Sequence, residues 1–340
     1  MANGRRVLFL MLLSSCMGCG QPEEGPPDAD GSSDVHDGAG DEGGPEEAGD
    51  AEEWDGEPEI TEGTLPIGLE GSLQNPCWSP DDEKLVITRW RNGYNRGLAD
   101  LVLVDARTAG ATLLTTAEAM NVNLPGSCWD AASGLIVYTS DELDRDEVWL
   151  VPSGGGPPVR VTDRPGQVAF EPSFSPDGLW IVFESHPEGT DDEGSLWKVR
   201  ADGSELTQLT SGDGDDRQPN WSPRGDLIVF QSLRSGPWRI WTIGPDGADP
   251  RILTTGDGTD ASFSPDGAFI VFSSDEELEL ANLFVIPSAG GSEVRVRVSD
   301  TYDGAPAWSR SGLWIAFETC EGFPDGSAGT RIAITAAPPL

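Results

Sequence analysis

Basic residues are scarce for a chain of 340. Twenty-one Lys and Arg stand against 59 Asp and Glu, a formal charge of −38. That balance excludes the basic footprint nucleic-acid binding requires, and it excludes an electrostatic grip on anionic lipid. Only Lys84 and Lys198 are lysines, and only His36 and His186 are histidines. His36 sits in an acidic stretch, and His186, between Ser185 and Pro187, reads as a solvated loop residue. A triad that depends on a histidine base is therefore not expected. No Gly-x-Ser-x-Gly nucleophile turn occurs either.

Long apolar runs are missing too. The longest near the start, Val7 to Leu13, follows Arg5 and Arg6 and is too short to span a bilayer. It has the length of the apolar region of an export signal. Leu13-Ser14-Ser15-Cys16 resembles the bacterial lipobox, which implies lipidation at Cys16, with Cys19 the alternative. Residues 1–19 are read as this signal. Residues 20–59 are read as a disordered acidic tether, since 20–62 hold 17 Asp and Glu, no Lys or Arg and almost no aliphatic side chains. Such a coil reaches roughly 35 Å. The expected location is the bacterial cell envelope, exported and held by lipid. Met17 after Cys16 favours the outer membrane, with the periplasmic or surface face left open.

What the sequence has in plenty is a repeat. Segments around Trp78, Trp129, Phe174, Trp221, Phe263 and Trp308 are self-similar, at spacings of 51, 45, 47, 42 and 45. Seven places after these anchors stand Leu85, Ile136, Ile181, Ile228, Ile270 and Ile315. Nine places after them stand Ile87, Tyr138, Phe183, Phe230, Phe272 and Phe317. A turn follows the anchor, as in Ser175-Pro176-Asp177-Gly178 and Ser264-Pro265-Asp266-Gly267. A β-branched and aromatic strand comes next, such as Trp180-Ile181-Val182-Phe183, then a third strand and a fourth that ends in Leu-Thr. Four strands in 40 to 50 residues are the blade of a β-propeller. The sixth copy ends without a fourth strand, so the extended stretch Ile60 to Ile67 is expected to complete it. The fold class is thus all-β, a six-bladed propeller over residues 60–340.

The aromatic-Ser-Pro-Asp-Gly motif with its Ile-Val-Phe strand resembles the TolB-type propeller repeat of bacterial envelope proteins. The resemblance covers about 73–335 and departs at Asp130-Ala131-Ala132-Ser133, where the second copy lacks the turn motif. It also departs ahead of the propeller, where the acidic stretch stands in place of the family's small α/β domain. The resemblance implies the fold and binding within the envelope. Propellers of this kind also precede hydrolase domains in prolyl peptidases, and no such domain is expected after residue 340.

Three places before the anchors stand Asn75, Gly126, Glu171, Gln218, Asp260 and Ala305. In a propeller these positions approach one mouth of the channel. The candidate binding face is therefore Asn75, Glu171, Gln218 and Asp260, with Asp216 and Asp303 from the acidic loops entering the inner strands. Glu171 and Asp260 are calcium candidates, because paired carboxylates with amide oxygens suit a hard cation; no other cofactor is expected. Trp90, Tyr94, Trp238 and Phe323 fall in or beside loops and read as fillers between blades. Cys77 and Cys128 occupy equivalent places before their anchors, and an exported compartment permits a bridge between them. Cys320 has no evident partner. The expected function is a non-catalytic module, monomeric, that binds an envelope protein or a polymer. It meets the membrane only through the N-terminal lipid and binds no nucleic acid. The alternative is a metal-dependent propeller enzyme acting on a saccharide or lactone through channel carboxylates.

Overall fold

A computed structural model describes residues 59–115, 122–124, 128–143, 145–190, 193–211, 214–275, 280–322, 324 and 329–339. Residues Pro58–Leu340 form one compact unit. Cys16, Cys19, Gly126, Asp213 and Phe323 lie outside the described residues, as does the acidic stretch up to residue 58.

In five repeats the anchor ends the inner strand, and the residue seven places on is the cross-strand partner in every repeat. Trp78 faces Leu85, Trp129 faces Ile136, Phe174 faces Ile181, Trp221 faces Ile228, Phe263 faces Ile270 and Trp308 faces Ile315. The intervening turn sets this register. In the third and fifth repeats the Ser hydroxyl donates to the Asp two places on, at 2.6 and 2.7 Å, and accepts the first N–H of the next strand. Asp177 and Asp266 thus cap their own turns, and the serine hydrogen bond holds each carboxyl below its usual range.

Six antiparallel four-stranded sheets result, arranged in a ring. Their inner strands are Ser72–Trp78, Val122–Asn123, Gln167–Phe174, Asp216–Trp221, Thr259–Phe263 and Thr301–Trp308. The sixth sheet runs Gly63–Thr64, Arg331–Ala336, Trp314–Glu321, Thr301–Trp308, so the N-terminal stretch supplies its outer strand. No helix occurs among the described residues. The aromatic ladder Tyr138, Phe183, Phe230, Phe272 and Phe317 is fully buried and packs the blades against one another. The Leu-Thr endings have a structural purpose. Thr115, Thr162, Thr210 and Thr254 each accept, through Oγ1, a third-strand N–H beyond the reach of the short fourth strand.

Cys77 and Cys128 are disulfide-bonded, with Cα atoms 6.1 Å apart, and join blades one and two. Among the described residues the second inner strand comprises Val122–Asn123, and the bridge ties its blade to the first. Closing a loop of this length removes roughly 4 kcal/mol of denatured-state entropy. The double variant Cys77→Ser/Cys128→Ser is expected to unfold in urea with a stability lower by about 2–4 kcal/mol. An unchanged midpoint would show that blade two is held by other contacts.

Candidate functional site

Five inner strands carry a register shift at one place, two to three residues before the anchor. The first of the two residues inside each shift is Asn75, Glu171, Gln218, Asp260 or Ala305, and all five have φ between 44° and 55°. A bulge leaves one residue unpaired and turns its side chain out of the sheet. Asn and Asp tolerate this left-handed backbone, whereas Glu, Gln and Ala hold it at a cost of about 1 kcal/mol or more each. The strain is repeated around the axis and presents a ring of side chains to the channel.

Four members of the ring are linked laterally. Asn75 Nδ2 donates to Asn123 Oδ1 at 2.5 Å, and Asn123 Nδ2 donates to Glu171 Oε1 at 3.1 Å. Gln218 Nε2 donates to the same Glu171 oxygen at 3.0 Å, and Gln218 Oε1 accepts the Asp260 N–H at 3.2 Å. Asn75, Glu171, Gln218 and Asp260 thereby line one small cavity, about 30 Å³, with Leu124, Pro219, Asn220 and Ala261. The sequence-derived ring positions meet there.

Asp216 and Asp303 belong elsewhere. Asp216 is 3% exposed and takes hydrogen bonds from Ser232 and Arg234. Asp303 is fully buried and accepts from Ser299, Thr301 and Thr319 at 2.7–2.9 Å. Both carboxylates are engaged inside their own blade and offer no oxygen to an open face. His186 also departs from its loop reading. It lies in the strand Trp180–Pro187, is 4% exposed, and stacks on Phe170 with ring centroids 5.5 Å apart. Of the loop aromatics, Trp90 is buried and Tyr94 reaches across from blade one to donate to Glu318 Oε1 of blade six at 3.2 Å.

A second ring lies behind the first. Ten places after each anchor stand Thr88, Thr139, Glu184, Gln231, Ser273 and Glu318, all buried. Thr139 accepts the Glu171 N–H at 3.0 Å, and Gln231 accepts that of Asp260 at 3.1 Å. Glu184 and Glu318 face the N–H groups of Gln218 and Asn75. These four side chains thus steady the bulge of the following blade, whereas the Thr88 and Ser273 hydroxyls make no hydrogen bond. The signal was a polar residue after the buried hydrophobe at the ninth place in all six repeats.

These two rings bring four carboxyls together. Burial pushes Glu318 up to about 8, with Asp260 adding to the shift and Tyr302 and Tyr94 opposing it. Burial also raises Glu184, with the Glu171 charge second, and raises Asp260 against hydrogen bonds from Gln218 and Thr259. Glu171 rises by burial too, with Asp260 adding to it. The basic group beside them, Arg217, lies 2.8 Å from Asp215 and 3.7 Å from Glu184. Among the described residues, no three His, Cys, Asp or Glu side chains gather as a metal-binding group. The arrangement suits binding of a small hydrogen-bonding group.

Residues 144–312 match the TolB beta propeller domain. An uncharacterized protein of Agrobacterium fabrum is 31% identical over 119 residues, covering 34% of this chain and 39% of its own length. The Tol-Pal system protein TolB of Francisella tularensis is 26% identical over 166 residues, covering 48% of this chain and 36% of its own. The match thus spans little more than a third of these relatives. Among solved structures, a putative TolB from Agrobacterium tumefaciens superposes with a TM-score of 0.56 and 21% identity, over 78% of this chain and 90% of that one. TolB from Acinetobacter baumannii gives 0.57 and 17%, over 79% and 65%. An oligogalacturonate lyase in complex with manganese gives 0.50 and 16%, over 78% and 76%. At these identities the structural likeness is one of fold.

Proposed function

Because this chain carries a TolB-type six-bladed propeller, we propose that it is a lipid-anchored module of the bacterial cell envelope that binds a protein or polymer at its channel mouth without catalysis. The observation that carries the reading is the strained ring. Non-glycine residues are held at positive φ at this place in five blades, the four polar ones line one shared cavity, and such strain persists where a site is pre-organised. The namesake relatives belong to a Tol-Pal system by name, which supports a protein partner and an envelope address.

The test is affinity capture from envelope extract with the full chain as bait, with and without calcium. One stoichiometric partner is expected, and the variant Glu171→Gln/Asp260→Asn is expected to retain at least tenfold less of it. Recovery dependent on calcium would assign the cation to these carboxylates. No partner in either condition, or capture indifferent to the double variant, would overturn the reading. The rival is an enzyme acting on a saccharide or lactone. It is favoured by the raised carboxyls of Glu171 and Glu318, and it predicts a turnover that Glu171→Gln abolishes.

A further inference from the structure

Of the three tyrosines in the chain, two converge on one carboxyl. Tyr94 of blade one and Tyr302 of blade six each donate to Glu318 Oε1 at 3.2 Å. The other oxygen, Oε2, is buried and has no hydrogen-bond partner. Blade six makes room for this meeting. Gly304 stands opposite Glu318 in the sheet, and a Cβ there would lie 2.4 Å from the Tyr302 hydroxyl. Ala305, the next residue, holds the place where blades one, three, four and five put Asn75, Glu171, Gln218 and Asp260. Its methyl group leaves a gap in the polar ring beside Glu318, and the Tyr94 hydroxyl arrives there from another blade.

Tyr94 belongs to the loop of residues 91–98, which joins Lys84–Trp90 to Ala99–Asp105. The loop is tied to itself. The Arg91 N–H bonds Leu98 O at 2.9 Å, the Asn92 N–H bonds Arg96 O, and the Arg96 N–H bonds Gly93 O, both at 3.2 Å. Gly97, at φ 81°, leaves space for the Asn92 side chain, where a Cβ would lie 2.6 Å from Nδ2. Arg91, Asn92, Asn95 and Arg96 are exposed, while Tyr94 is half-buried with its hydroxyl turned onto Glu318. Burial raises the Tyr94 phenol well above the ordinary tyrosine range, and the charges of Glu318 and Asp260 add to the shift. Its side chain thus reaches from blade one over blade six toward Asp260 of blade five. Two features make this closed position easy to leave. The loop carries its own hydrogen bonds with it when it pivots, and opening lets water reach Oε2, whose lack of a partner is a cost of the closed form.

We propose that residues 91–98 form a strap across the channel mouth. Closed, the strap completes the ring at blade six with Tyr94 and shields Glu318; open, it uncovers Glu318 beside Asp260 for a bound group. This rests on the channel mouth being the binding site and names what controls access to it.

The test is carboxyl labelling of the full chain with a water-soluble carbodiimide and an amine, read at single residues by mass spectrometry. Glu184, buried at the matching place in blade three, is the internal reference. Relative to Glu184, labelling of Glu318 is expected to rise about fivefold in Tyr94→Phe, which loses one hydrogen bond. It is expected to rise more than about tenfold in Tyr94→Ala, which also loses the ring. Arg96→Ala, an exposed change in the same loop, is expected to leave it as in the parent. Tyr94→Phe removes a single oxygen, so a folding defect cannot mask the answer. Equal labelling of Glu318 in the parent and both Tyr94 variants would overturn the proposal. A rise that Glu184 shares in Tyr94→Phe would overturn it in favour of a loosening of the whole ring. A rise of the same size in Arg96→Ala would overturn the assignment of the gate to Tyr94. The readout involves no partner, so its failure is distinct from a failure of envelope capture, which tests the binding module itself.

Discussion

Deleting residues 59–67 is expected to lower the melting temperature by more than about 10 °C and to make the protein self-associate. Gly63–Thr64 pairs with Arg331–Ala336, Gly63 against Ile334 and Thr64 against Ala333. The Leu65 N–H adds a bond to Ile332 at 2.8 Å, and Glu62 Oε1 accepts from Ala336 N–H and Thr335 Oγ1 at 2.6 and 3.2 Å. Leu65 and Ile67 are buried in the same cluster as Ile332 and Ile334. Losing two buried aliphatic side chains costs about 2–5 kcal/mol each, a large part of the roughly 5–15 kcal/mol that holds a domain. For a chain of this size each kcal/mol moves the midpoint by about 2–4 °C. The deletion also bares the edge of Arg331–Ala336, a template for pairing with another copy. Calorimetry and sedimentation velocity check both halves. A monomer melting within about 3 °C of the intact chain would show that the ring closes without this strand.

The six-fold frame was legible because a period repeated in register leaves few alternatives. The anchor and the residue seven places on could be paired on paper, and Trp78 with Leu85 or Phe263 with Ile270 stand opposite each other in the sheet. The ring three places before the anchors was legible as a set of positions but not as a conformation. Nothing in Glu171, Gln218 or Ala305 announces a left-handed backbone, because the bulge is demanded by how inner strands converge on the axis. The ring ten places after the anchors obeys the same counting, with a polar residue in all six repeats. Asp216 was misplaced for a different reason. Its partner Arg234 lies eighteen residues on and arrives from the next hairpin, a distance that local charge patterning does not register. Pro187 made His186 look like a loop residue, yet the proline closes its strand, a position strands allow.

Stability is expected to fall as pH rises from about 5 to 9, the reverse of the trend in a protein whose carboxylates are all salt-bridged. Glu318 has a carboxyl raised from 4.5 to about 8. Between those values the folded state keeps a proton that the unfolded state has released, so ΔG of unfolding declines with pH. The contribution is fully present below the unfolded value and is lost as pH passes the folded one. It amounts to on the order of 4 kcal/mol for a residue this buried. Glu184, Glu171 and Asp260 shift in the same direction by burial and add to the slope. Opposing them, Asp177 and Asp266 are held low in their turns, and their support is lost only as pH falls through the carboxylate range. Glu318→Gln keeps a hydrogen-bonding side chain and removes the proton, so urea midpoints of the variant should vary less between pH 5.5 and 8.5 than those of the parent. A parent curve that is flat or rises over that interval would mean that these carboxyls are ionised in the folded protein. The ring would then hold its charges with a cation already bound.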